Sequence, residues 1–470
     1  MTGLVSVVAI TAALVADATG GRLTTGSQDA VFTSVSIDSR TVAAGALFVA
    51  IKGDRFDGHD YAGVALERGA TGLLVSRAVS SAPGVAVIEV ADTLSALQAL
   101  AREIRRRSGA TVIAITGSAG KTSTKEITAD ILATRYQVFR NRGNLNNHIG
   151  LPLTLTELAN GPEMAVVELG MNHAGEIRDL IRIAEPDARV WTNVGDAHIG
   201  YFGSRDAVAS AKAEILEEAG PSTVVVANAD DALVAKHTKG FAGRLLTFGT
   251  DAAANVRATD VEDRGFEGTT ATVRTPGESI RLELNLPGRA HLMNVLAAVA
   301  IATEYGVAPA AISQTVRAAR PVARRGSMTT LRSGARIVDD TYNASPAAVQ
   351  TMLQALKATP GATRRIAILG EMRELGDSAF ALHEACGRAA AESGVDVLVA
   401  VGGPSADGFI AGAKAHGLKD AQLARFSDSA SACSPVAALI RAGDLVLIKG
   451  SRGTRMDVIA DALVAAERQV

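Results

Sequence analysis

The chain has few cysteines, no excess of either charge and no long apolar run. Cys386 and Cys433 are its only cysteines, too few for a disulfide scaffold, which favours a reducing compartment. Lys and Arg total 47 against 49 Asp and Glu, so the basic excess typical of nucleic-acid-binding proteins is missing. The apolar run 4–16 is too short to span a bilayer and lacks the basic start of a signal peptide. We therefore expect a cytoplasmic protein with no membrane insertion and no nucleic-acid partner, whose first helix is buried and ends at Gly20-Gly21.

The composition is that of an ordinary globular protein. Hydrophobic residues make up 47% of the 470 residues and charged residues 20%, which excludes disordered, collagen-like and coiled-coil classes. At roughly 150 residues per domain, the length predicts about three domains.

Short apolar, β-branched runs alternate with alanine-rich helical patterns along the chain. Continuous apolar runs bounded by Gly, Asn or Asp indicate strands buried on both faces, as in a parallel sheet. Helices are predicted at 123–133 and 294–305, and the pattern as a whole predicts an α/β fold. The predicted strands are 111–116, 164–169, 189–194, 223–228, 365–370, 395–401 and 444–449.

Two composition changes suggest where the domains meet. The first block ends near residue 108 in the basic run Arg105-Arg106-Arg107, which we interpret as a solvated helix end. A second break is expected near Arg320-Pro321. The predicted blocks are therefore 1–108, 109–322 and 323–470.

The segment 111–126, TVIAITGSAGKTSTKE, combines a buried strand, a glycine-rich turn and the start of a helix. Gly117 and Gly120 let the backbone approach oxygen atoms, and the helix N-terminus offers free N–H groups to an anion. Lys121 can neutralise phosphates and the Thr122 hydroxyl can bind Mg²⁺. The loop is a shorter variant, G-x-x-G-K-T, of the usual pattern. We predict a nucleotide phosphate site formed by Gly117, Ser118, Ala119, Gly120, Lys121, Thr122 and Ser123.

Polar residues also follow two other predicted strands. Glu168 ends the strand at 164–169, and His198 follows the strand at 189–194. Because the carboxyl ends of parallel strands lie at one edge of a sheet, both side chains could bind a metal beside the phosphates. A hydrogen-bonded structural role is the alternative for each. Since Mg²⁺ prefers oxygen ligands, the residues alone leave the role of His198 undecided.

Lys212 and Asn294 have simpler interpretations when each is taken alone. Lys212 lies on a predicted helix near Glu214, where an exposed, solvated lysine is the ordinary expectation. Asn294 stands at the start of an apolar helix, where an asparagine is usually a cap.

Together these motifs resemble those of the Mur ligase family, the ATP-dependent amide-bond ligases of peptidoglycan precursor synthesis. The resemblance runs from Asp38 to Asp457 and so covers nearly the whole chain. The segments 369–376 and 449–457 resemble the branch that adds D-alanyl-D-alanine. The matching segments are TGSAGKTSTKE (116–126), RGNLNNHIGLPLTL (142–155), ELGMNHAGEI (168–177), TNVGDAHIGYFGS (192–204), AKAEI (211–215), GRAHLMNVLAA (288–298), DDTYNASPAAV (339–349), LGEMRELG (369–376) and KGSRGTRMD (449–457).

The resemblance implies a three-domain α/β enzyme. A small N-terminal α/β domain at 1–108 would bind the UDP-sugar, and a central P-loop domain with a parallel sheet at 109–322 would bind ATP. A Rossmann-like C-terminal domain at 323–470 would close over the amine substrate. The implied activity is an ADP-forming ligation of D-alanyl-D-alanine to UDP-MurNAc-tripeptide through an acyl phosphate, carried out by a monomer.

Roles are carried over by position. Catalytic roles are implied for Lys121, Glu168, His198 and Lys212, and Lys212 aligns with the lysine that family members carbamylate. Two Mg²⁺ sites are implied, one at Thr122 and one at Glu168 and His198. Further ATP contacts are implied for Asn294, with His291 nearby, and for Arg325 and Asp340. Substrate contacts are implied for Ser39, Arg40, Lys52, Asp57, Gly58, His59, Asn146, Asn147, Tyr342, Asn343, Ser451 and Arg452.

Three other functions remain open. A sibling Mur ligase or a folylpolyglutamate synthase shares the ATP machinery but adds a different amino acid. A P-loop kinase or GTPase would leave His198, Asn294 and the C-terminal block without a role. A non-catalytic nucleotide-binding scaffold would not need Lys121, Glu168 and His198 together.

Overall fold

Three β-sheets organise the chain in the computed structural model, which describes residues 6–141, 143 and 145–466. The N-terminal sheet has five strands, the central sheet nine and the C-terminal sheet six, and each anchors one domain. The predicted α/β class with a three-part organisation is confirmed. Arg142 and Asn144, which belong to the matched segment 142–155, lie outside the described residues.

The N-terminal domain has a short sheet in the order β2-β7-β6-β5-β4, and β1 pairs with β3 beside it. The predicted first helix is shorter than expected. Residues 10 and 11 of the apolar run form a strand, and Thr11 then caps the helix by accepting the Leu14 N–H at 3.0 Å. The helix stops at Gly20, whose φ of 64° is left-handed. The elements are β1 (Ile10–Thr11), α1 (Ala12–Thr19), β2 (Arg22–Thr25), β3 (Val31–Phe32), β4 (Val35–Ser36), β5 (Leu47–Val49), α2 (Ala62–Glu67), β6 (Gly72–Val75), β7 (Ala86–Glu89) and α3 (Thr93–Ser108).

The central sheet has the order β16-β15-β14-β13-β12-β11-β8-β10-β9, and the strands from β9 to β14 are parallel. The strand β8 lies between β10 and β11, so the strand order reverses beside it and a binding crevice is expected there. The elements are β8 (Thr111–Thr116), α4 (Lys121–Leu132), β9 (Val138–Arg140), α5 (Gly150–Thr156), β10 (Met164–Glu168), α6 (Glu176–Ala184), β11 (Ala188–Trp191), α7 (Ile199–Phe202), α8 (Arg205–Ala213), β12 (Val224–Asn228), α9 (Ala232–Thr238), β13 (Arg244–Gly249), β14 (Val256–Asp263), β15 (Thr269–Arg274), β16 (Ser279–Leu284), α10 (Gly288–Glu304) and α11 (Pro309–Ala318).

The C-terminal sheet has the order β17-β18-β22-β19-β20-β21 and is parallel except for β17. All seven strands predicted from apolar runs are present in the two larger sheets. The remaining elements are β17 (Ser327–Thr330), β18 (Arg336–Asp340), α12 (Pro346–Ala358), β19 (Arg364–Gly370), α13 (Ala379–Glu392), β20 (Val397–Val401), α14 (Asp407–Ala415), β21 (Leu423–Phe426), α15 (Ser429–Leu439), β22 (Asp444–Lys449) and α16 (Asp457–Ala466).

The basic run at the end of α3 is only in part the solvated helix end expected from sequence, because Arg106 and Arg107 are half exposed whereas Arg105 is enclosed. Arg105 donates to the Ala184 and Glu185 carbonyls at 2.9 and 2.7 Å and to Asp187 at 2.7 Å. Arg106 makes a two-point contact with the Glu185 carboxylate at 2.9 and 2.7 Å. These arginines bind the carbonyl end of α6, where positive charge is favourable, and so join the N-terminal domain to the central one.

The state of the cysteines and the length of the helices can also be read from the structure. Cys386 and Cys433 are both free, and Cys386 is buried. Within the described residues, every helix is too short or too polar to cross a lipid bilayer.

Candidate active site

The loop between β8 and α4 forms the centre of the site. Gly117 and Gly120 have φ of 148° and 81°, a left-handed backbone that glycine adopts readily. A Cβ at Gly117 would overlap Thr192 Oγ1, and one at Gly120 would overlap Asn294 Oδ1. Lys121 curls back over the loop and donates to the Gly117 carbonyl at 2.6 Å. The predicted phosphate loop therefore has the compact backbone that such loops require.

A polar segment after β11 supports this loop, and sequence reasoning did not assign it a role. Asn193 Oδ1 accepts the Ala119 N–H at 2.8 Å, and its Nδ2 donates to the Ala119 carbonyl at 3.1 Å. Ser118 Oγ accepts the Gly195 N–H at 2.9 Å. The position of Asn193 directly after a buried strand, in TNVGD, is the feature that could have identified it.

Thr122 and Glu168 are brought together as predicted. Thr122 Oγ1 donates to Glu168 Oε2 at 2.8 Å, and Asn146 Nδ2 donates to the other carboxylate oxygen at 2.8 Å. The Glu168 carboxylate is fixed because β10 lies beside β8, with Glu168 paired to Ile115 in register. Asn147 differs from Asn146 because its side chain accepts the N–H groups of Ile149 and Gly150, just before and at the start of α5.

Arg325 reaches this cluster from the C-terminal domain. Its guanidinium donates to Thr122 Oγ1 at 3.1 Å and lies 4.1 Å from the ring centre of Tyr342, a cation–π contact. Burial is the main cause that lowers the pKa of Lys121; Glu168 opposes this effect and Arg325 adds to it. Lys121 and Arg325 thus place two cationic groups at a helix N-terminus, an arrangement that favours binding of phosphate anions.

His198 lies at the same edge of the central sheet. Among the described residues, no hydrogen bond joins it to Thr122 or to Glu168. Its Nδ1 is 2.9 Å from Glu374 Oε2 of the C-terminal domain. Burial lowers the pKa of His198. The positive charges of Lys121 and Lys212 lower it further, and the negative charge of Glu374 opposes both effects. These charge effects place His198 near both lysines.

Lys212 is buried, with only 1% of its surface exposed, and so is not the solvated lysine of the simpler interpretation. Among the described residues, its ammonium group has no hydrogen-bond acceptor or ion-pair partner. Glu214 does not pair with it, because its carboxylate accepts the N–H groups of Gly175 and Arg178 at the start of α6. Burial, reinforced by the charge of Lys121, holds the pKa of Lys212 well below its ordinary value. A buried, unpaired amine of this kind needs another explanation.

Asn294 lies inside α10 rather than at its start, so it is not a helix cap. It is buried against the phosphate loop, where its Oδ1 accepts the Thr124 hydroxyl at 3.3 Å. His291, one turn earlier, is also buried, and its Nδ1 is 2.8 Å from the Pro287 carbonyl. Burial lowers the pKa of His291. Of the two residues, Asn294 therefore contacts the phosphate loop, and His291 bonds within its own helix start.

The other C-terminal candidates cluster at the carboxyl edge of their sheet. Asp340 pairs in register with Lys449, and the Lys449 ammonium donates to its carboxylate and, at 3.0 Å, to the Asn343 carbonyl. Ser451 is buried and its hydroxyl accepts the Arg373 N–H at 3.0 Å. Arg452, by contrast, is exposed.

The N-terminal candidates form a separate group. Arg40 is exposed and pairs with Asp38 through two contacts at 2.9 and 2.7 Å, while Ser39 beside it is buried. His59 is buried between Asp57 and the Ser76 N–H, which it accepts at 2.8 Å, so both of its ring nitrogens are used within the protein. The exposed Lys52 and the turn residue Gly58 complete the group. No hydrogen bond among the described residues connects this group with the phosphate loop.

The donor set at the loop is suited to a hard cation with incomplete protein coordination. The described residues hold no group of three His, Cys, Asp or Glu side chains arranged to bind a metal ion. Glu168 and the Thr122 hydroxyl nevertheless present two oxygen donors in contact with each other. Mg²⁺ is commonly held by one or two such oxygens together with water and substrate phosphates, so these residues fit it.

Family models match all three parts of the chain. The Mur ligase catalytic domain model matches residues 31–105, the Mur ligase middle domain model matches 115–302, and the Mur ligase glutamate ligase domain model matches 324–452. A Bacillus subtilis protein named UDP-N-acetylmuramoyl-tripeptide--D-alanyl-D-alanine ligase is 35% identical over 93% of this chain and 94% of its own length. The chain belongs to the Mur ligase family.

Solved structures of Mur ligases are similar over nearly the whole chain. MurF from Acinetobacter baumannii is 32% identical, with a TM-score of 0.87, covering 98% of this chain and 100% of that structure. MurF ligase from Thermotoga maritima, solved in complex with ADP, is 29% identical, with a TM-score of 0.80, covering 93% and 98%. The resemblance to the Mur ligase family seen in the motifs is confirmed.

Proposed function

We propose that this Mur ligase joins D-alanyl-D-alanine to UDP-MurNAc-tripeptide, consuming ATP and releasing ADP and phosphate. Relatives that carry this activity in their names match almost the full length of the chain. The observation in the structure that carries the proposal is the cluster at Thr122. There the phosphate loop, Glu168 and Arg325 from the C-terminal domain meet in direct contact.

In the first step, the terminal carboxylate of the tripeptide attacks the γ-phosphate of ATP, giving an acyl phosphate and ADP. Two anions must approach each other, so positive charge at the reacting phosphate has to offset their repulsion. Lys121 and Arg325 supply this charge from opposite domains, and the N–H groups of the loop and of α4 bind the phosphate oxygens. Asn294 and His291 are assigned to the adenine and Asp340 to the ribose.

In the second step, the free amine of D-alanyl-D-alanine attacks the acyl carbon, and phosphate leaves. The amine must be neutral and in line with the carbonyl, and water must be excluded because it would hydrolyse the acyl phosphate. The C-terminal domain is assigned to this task, with Tyr342, Asn343, Ser451 and Arg452 on the amine side. Asn146 and Asn147 are assigned to the loop that faces the tripeptide.

We assign one Mg²⁺ to Thr122 with the ATP phosphates and a second to Glu168 with His198. When bound, Mg²⁺ supplies electrostatic stabilisation to the transferred phosphoryl group. The contact between Thr122 and Glu168 fits these assignments, because both oxygens already face one point in the site. Asn146 orients the Glu168 carboxylate through a hydrogen bond of 2.8 Å.

We infer that Lys212 is carbamylated in the active enzyme. Carbon dioxide reacts with a neutral amine, and burial together with Lys121 lowers the pKa of Lys212 toward that form. The resulting carbamate is an anion, which replaces an unpaired buried cation by an oxygen ligand suited to the metal site. It would also turn repulsion between Lys212 and Lys121 into attraction.

The remaining assignments follow the domain order. The N-terminal domain, residues 1–108, is assigned to the UDP-sugar through Ser39, Arg40, Lys52, Asp57, Gly58 and His59. The central domain, 109–322, binds ATP, and the C-terminal domain, 323–470, closes over the amine substrate. We propose that the enzyme works as a monomer in the cytoplasm, where its nucleotide-linked substrate would be available.

The test is phosphate release from ATP, with UDP-MurNAc-tripeptide and D-alanyl-D-alanine present or omitted in turn. Release that requires both substrates, together with UDP-MurNAc-pentapeptide detected by mass, supports the proposal. Release that is indifferent to D-alanyl-D-alanine would contradict it and move the function to a sibling ligase or a simple nucleotide hydrolase.

The variant Lys121→Ala tests whether the loop drives this reaction. We expect it to abolish both ADP formation and ligation, because the cation nearest the phosphates is lost. Lys239→Ala, an exposed lysine at the end of α9, is the matched control and should behave like the unaltered enzyme. Near-normal turnover of Lys121→Ala would reject the assignment of the site.

A further inference from the structure

The segment LGEMRELG at 369–376 has no role in the mechanism proposed above. It begins with the last two residues of β19 and continues into the loop that leads to α13. This loop belongs to the C-terminal domain and contacts the central one. Its residue Glu374 contacts the central domain twice. The carboxylate oxygen Oε2 lies 2.9 Å from His198 Nδ1, and the main-chain carbonyl accepts the Gly200 N–H at 3.0 Å.

The second contact depends on the absence of a side chain at Gly200. A Cβ there would lie 2.7 Å from the Glu374 carbonyl oxygen and 2.9 Å from the Gly376 nitrogen, closer than atoms of these kinds approach. Ile199, the residue before it, packs against the apolar core of the C-terminal domain. The two backbones therefore touch directly at this point.

Both residues of the first contact have an unusual backbone. His198 and Glu374 each have a φ of 66°, in the left-handed region that residues with a side chain rarely adopt. Such conformations persist only where the surrounding structure holds them in place, and they concentrate at functional sites. Here two of them face each other across a domain boundary.

The loop that carries Glu374 is held firmly within its own domain. The Met372 N–H donates to His383 Nε2 at 2.8 Å, and the Arg373 N–H donates to Ser451 Oγ at 3.0 Å. His383 is buried, and its other ring nitrogen lies 2.6 Å from the Ala379 carbonyl. Glu374 therefore moves with the C-terminal domain as one body.

We propose that Glu374 is a positioning residue that latches the C-terminal domain onto the central domain and in doing so orients the imidazole of His198. With Nδ1 beside Glu374, Nε2 is the ring nitrogen left for the role assigned to His198 beside Glu168. The 2.9 Å approach is an ion-pair contact without the alignment of a full hydrogen bond, and a carboxylate at this distance from the distal nitrogen restrains the orientation of the ring. Because the carboxylate comes from the other domain, His198 is oriented only when the domains are closed, so closure and catalytic competence are coupled.

The expected change in kcat rests on the proposed function, whereas the expected change in the radius of gyration does not. Glu374→Ala removes the carboxylate but keeps a Cβ at the same left-handed φ. The backbone strain at this position therefore changes little. In the presence of ADP and Mg²⁺, we expect its radius of gyration by small-angle X-ray scattering to exceed that of the unaltered protein. In the ligation assay, kcat should fall about 10-fold, the order of effect expected when one interaction with a charged partner is lost. KM for UDP-MurNAc-tripeptide should stay unchanged.

Two further variants separate a latch from a general loss of structure. Glu374→Gln keeps the length of the side chain and an oxygen beside His198 Nδ1, and it should be more compact and more active than Glu374→Ala. Gly200→Ala leaves the carboxylate intact but pushes the loop away from the central domain, and it should reproduce the expansion seen in Glu374→Ala. Asp377→Ala, an exposed carboxylate three residues further on, is the control that should match the unaltered protein.

Three results together support the latch: expansion of Glu374→Ala, a smaller effect in Glu374→Gln, and expansion of Gly200→Ala. Any other pattern overturns it. A Glu374→Ala protein with unaltered scattering and kcat would be sufficient for rejection. Should Glu374→Ala fail to fold, the comparison of Glu374→Gln with Gly200→Ala decides the question. If the unaltered chain shows no ligation, the proposed function fails, whereas the scattering comparison still decides whether the latch exists.

Discussion

At the scale of single residues, the site combines a high density of positive groups with one amine that lacks a partner. Lys121 and Arg325 face the place assigned to the phosphates, and the positive charge of each is needed there. A third cation at Lys212 would be repelled by Lys121, and the part of the chain that the structure describes places no anion in contact with it. A fully charged lysine at this position would therefore destabilise the folded protein, whereas an anionic carbamate beside Lys121 would be attracted to it.

Replacing the side chain of Lys212 by a methyl group, in Lys212→Ala, should impair the enzyme. We expect kcat to fall about 10- to 100-fold, because an anionic group that supports the metal site is lost. Acetate should restore part of the activity by supplying a carboxylate to the space left by the side chain. The measurement is ligation rate against acetate concentration, with Lys239→Ala as the control that acetate should not affect.

An absence of rescue in Lys212→Ala would count against carbamylation. Bicarbonate provides a second readout in the unaltered enzyme. Removing dissolved carbon dioxide should lower the activity, and returning it should restore the activity, because the carbamate forms reversibly from the neutral amine. A rate that is independent of carbon dioxide would contradict the inference independently of any variant.

At the scale of elements, the phosphate loop was predictable because its determinants are local. A buried strand, two glycines and a helix start follow one another in sequence, and the structure places β8 at Thr111–Thr116 as predicted. Asn193 was missed because its contact with Ala119 joins residues 74 positions apart. The solvated interpretation of Arg105 was wrong for the same reason, since its acceptors belong to a helix far along the chain.

Lys212 shows the limit of periodicity as evidence. An amphipathic helix pattern indicates which face is apolar, but a lysine on that face is ordinarily assumed to reach solvent. Only the packing of α8 in the assembled structure shows that its side chain is enclosed. Motif resemblance pointed to Lys212 because it depends on position along the chain rather than on local chemistry.

The loop element also makes a prediction about Gly120. An alanine there would have to adopt a φ of 81°, and its Cβ would overlap Asn294 Oδ1. We expect Gly120→Ala to lose ADP binding in titration calorimetry, because relief of the overlap must shift either the loop or α10. The matched control is Gly240→Ala, since Gly240 has a φ of 80° with no atom near the position of the new Cβ. Equal ADP affinity in the two variants would show that loop packing does not matter for binding.

At the scale of the whole molecule, the two domain interfaces differ in kind. A continuous apolar core joins α3 of the N-terminal domain to α5 and α6 of the central one, through residues such as Leu97, Leu155 and Ile181. Among the described residues, only Ile199 and Phe266 of the central domain pack into the large core of the C-terminal domain. We therefore infer that the C-terminal domain is the part that moves, which agrees with a latch at Glu374.

Arg105 at the interface between the N-terminal and central domains should contribute to the stability of the protein. Arg105 has 11% of its side chain exposed, and it satisfies two carbonyl groups at the end of α6. It also bonds Asp187, which accepts the Val112 N–H at the start of β8. Arg105→Ala removes the donor to the two carbonyls and one of the partners of Asp187, and it should lower the free energy of unfolding by about 1–3 kcal/mol.

The measurement is the thermal midpoint in differential scanning calorimetry, and the same basic run provides the control. Arg107 pairs with Glu103 on its own helix and is half exposed, so Arg107→Ala should change the stability by less than about 1 kcal/mol. Because Arg105 lies at the interface with the apolar core and not at the proposed latch, Arg105→Ala should leave the ADP- and Mg²⁺-bound radius of gyration unchanged while Glu374→Ala increases it. Equal midpoints for Arg105→Ala and Arg107→Ala would show that the apolar core alone holds the first two domains together.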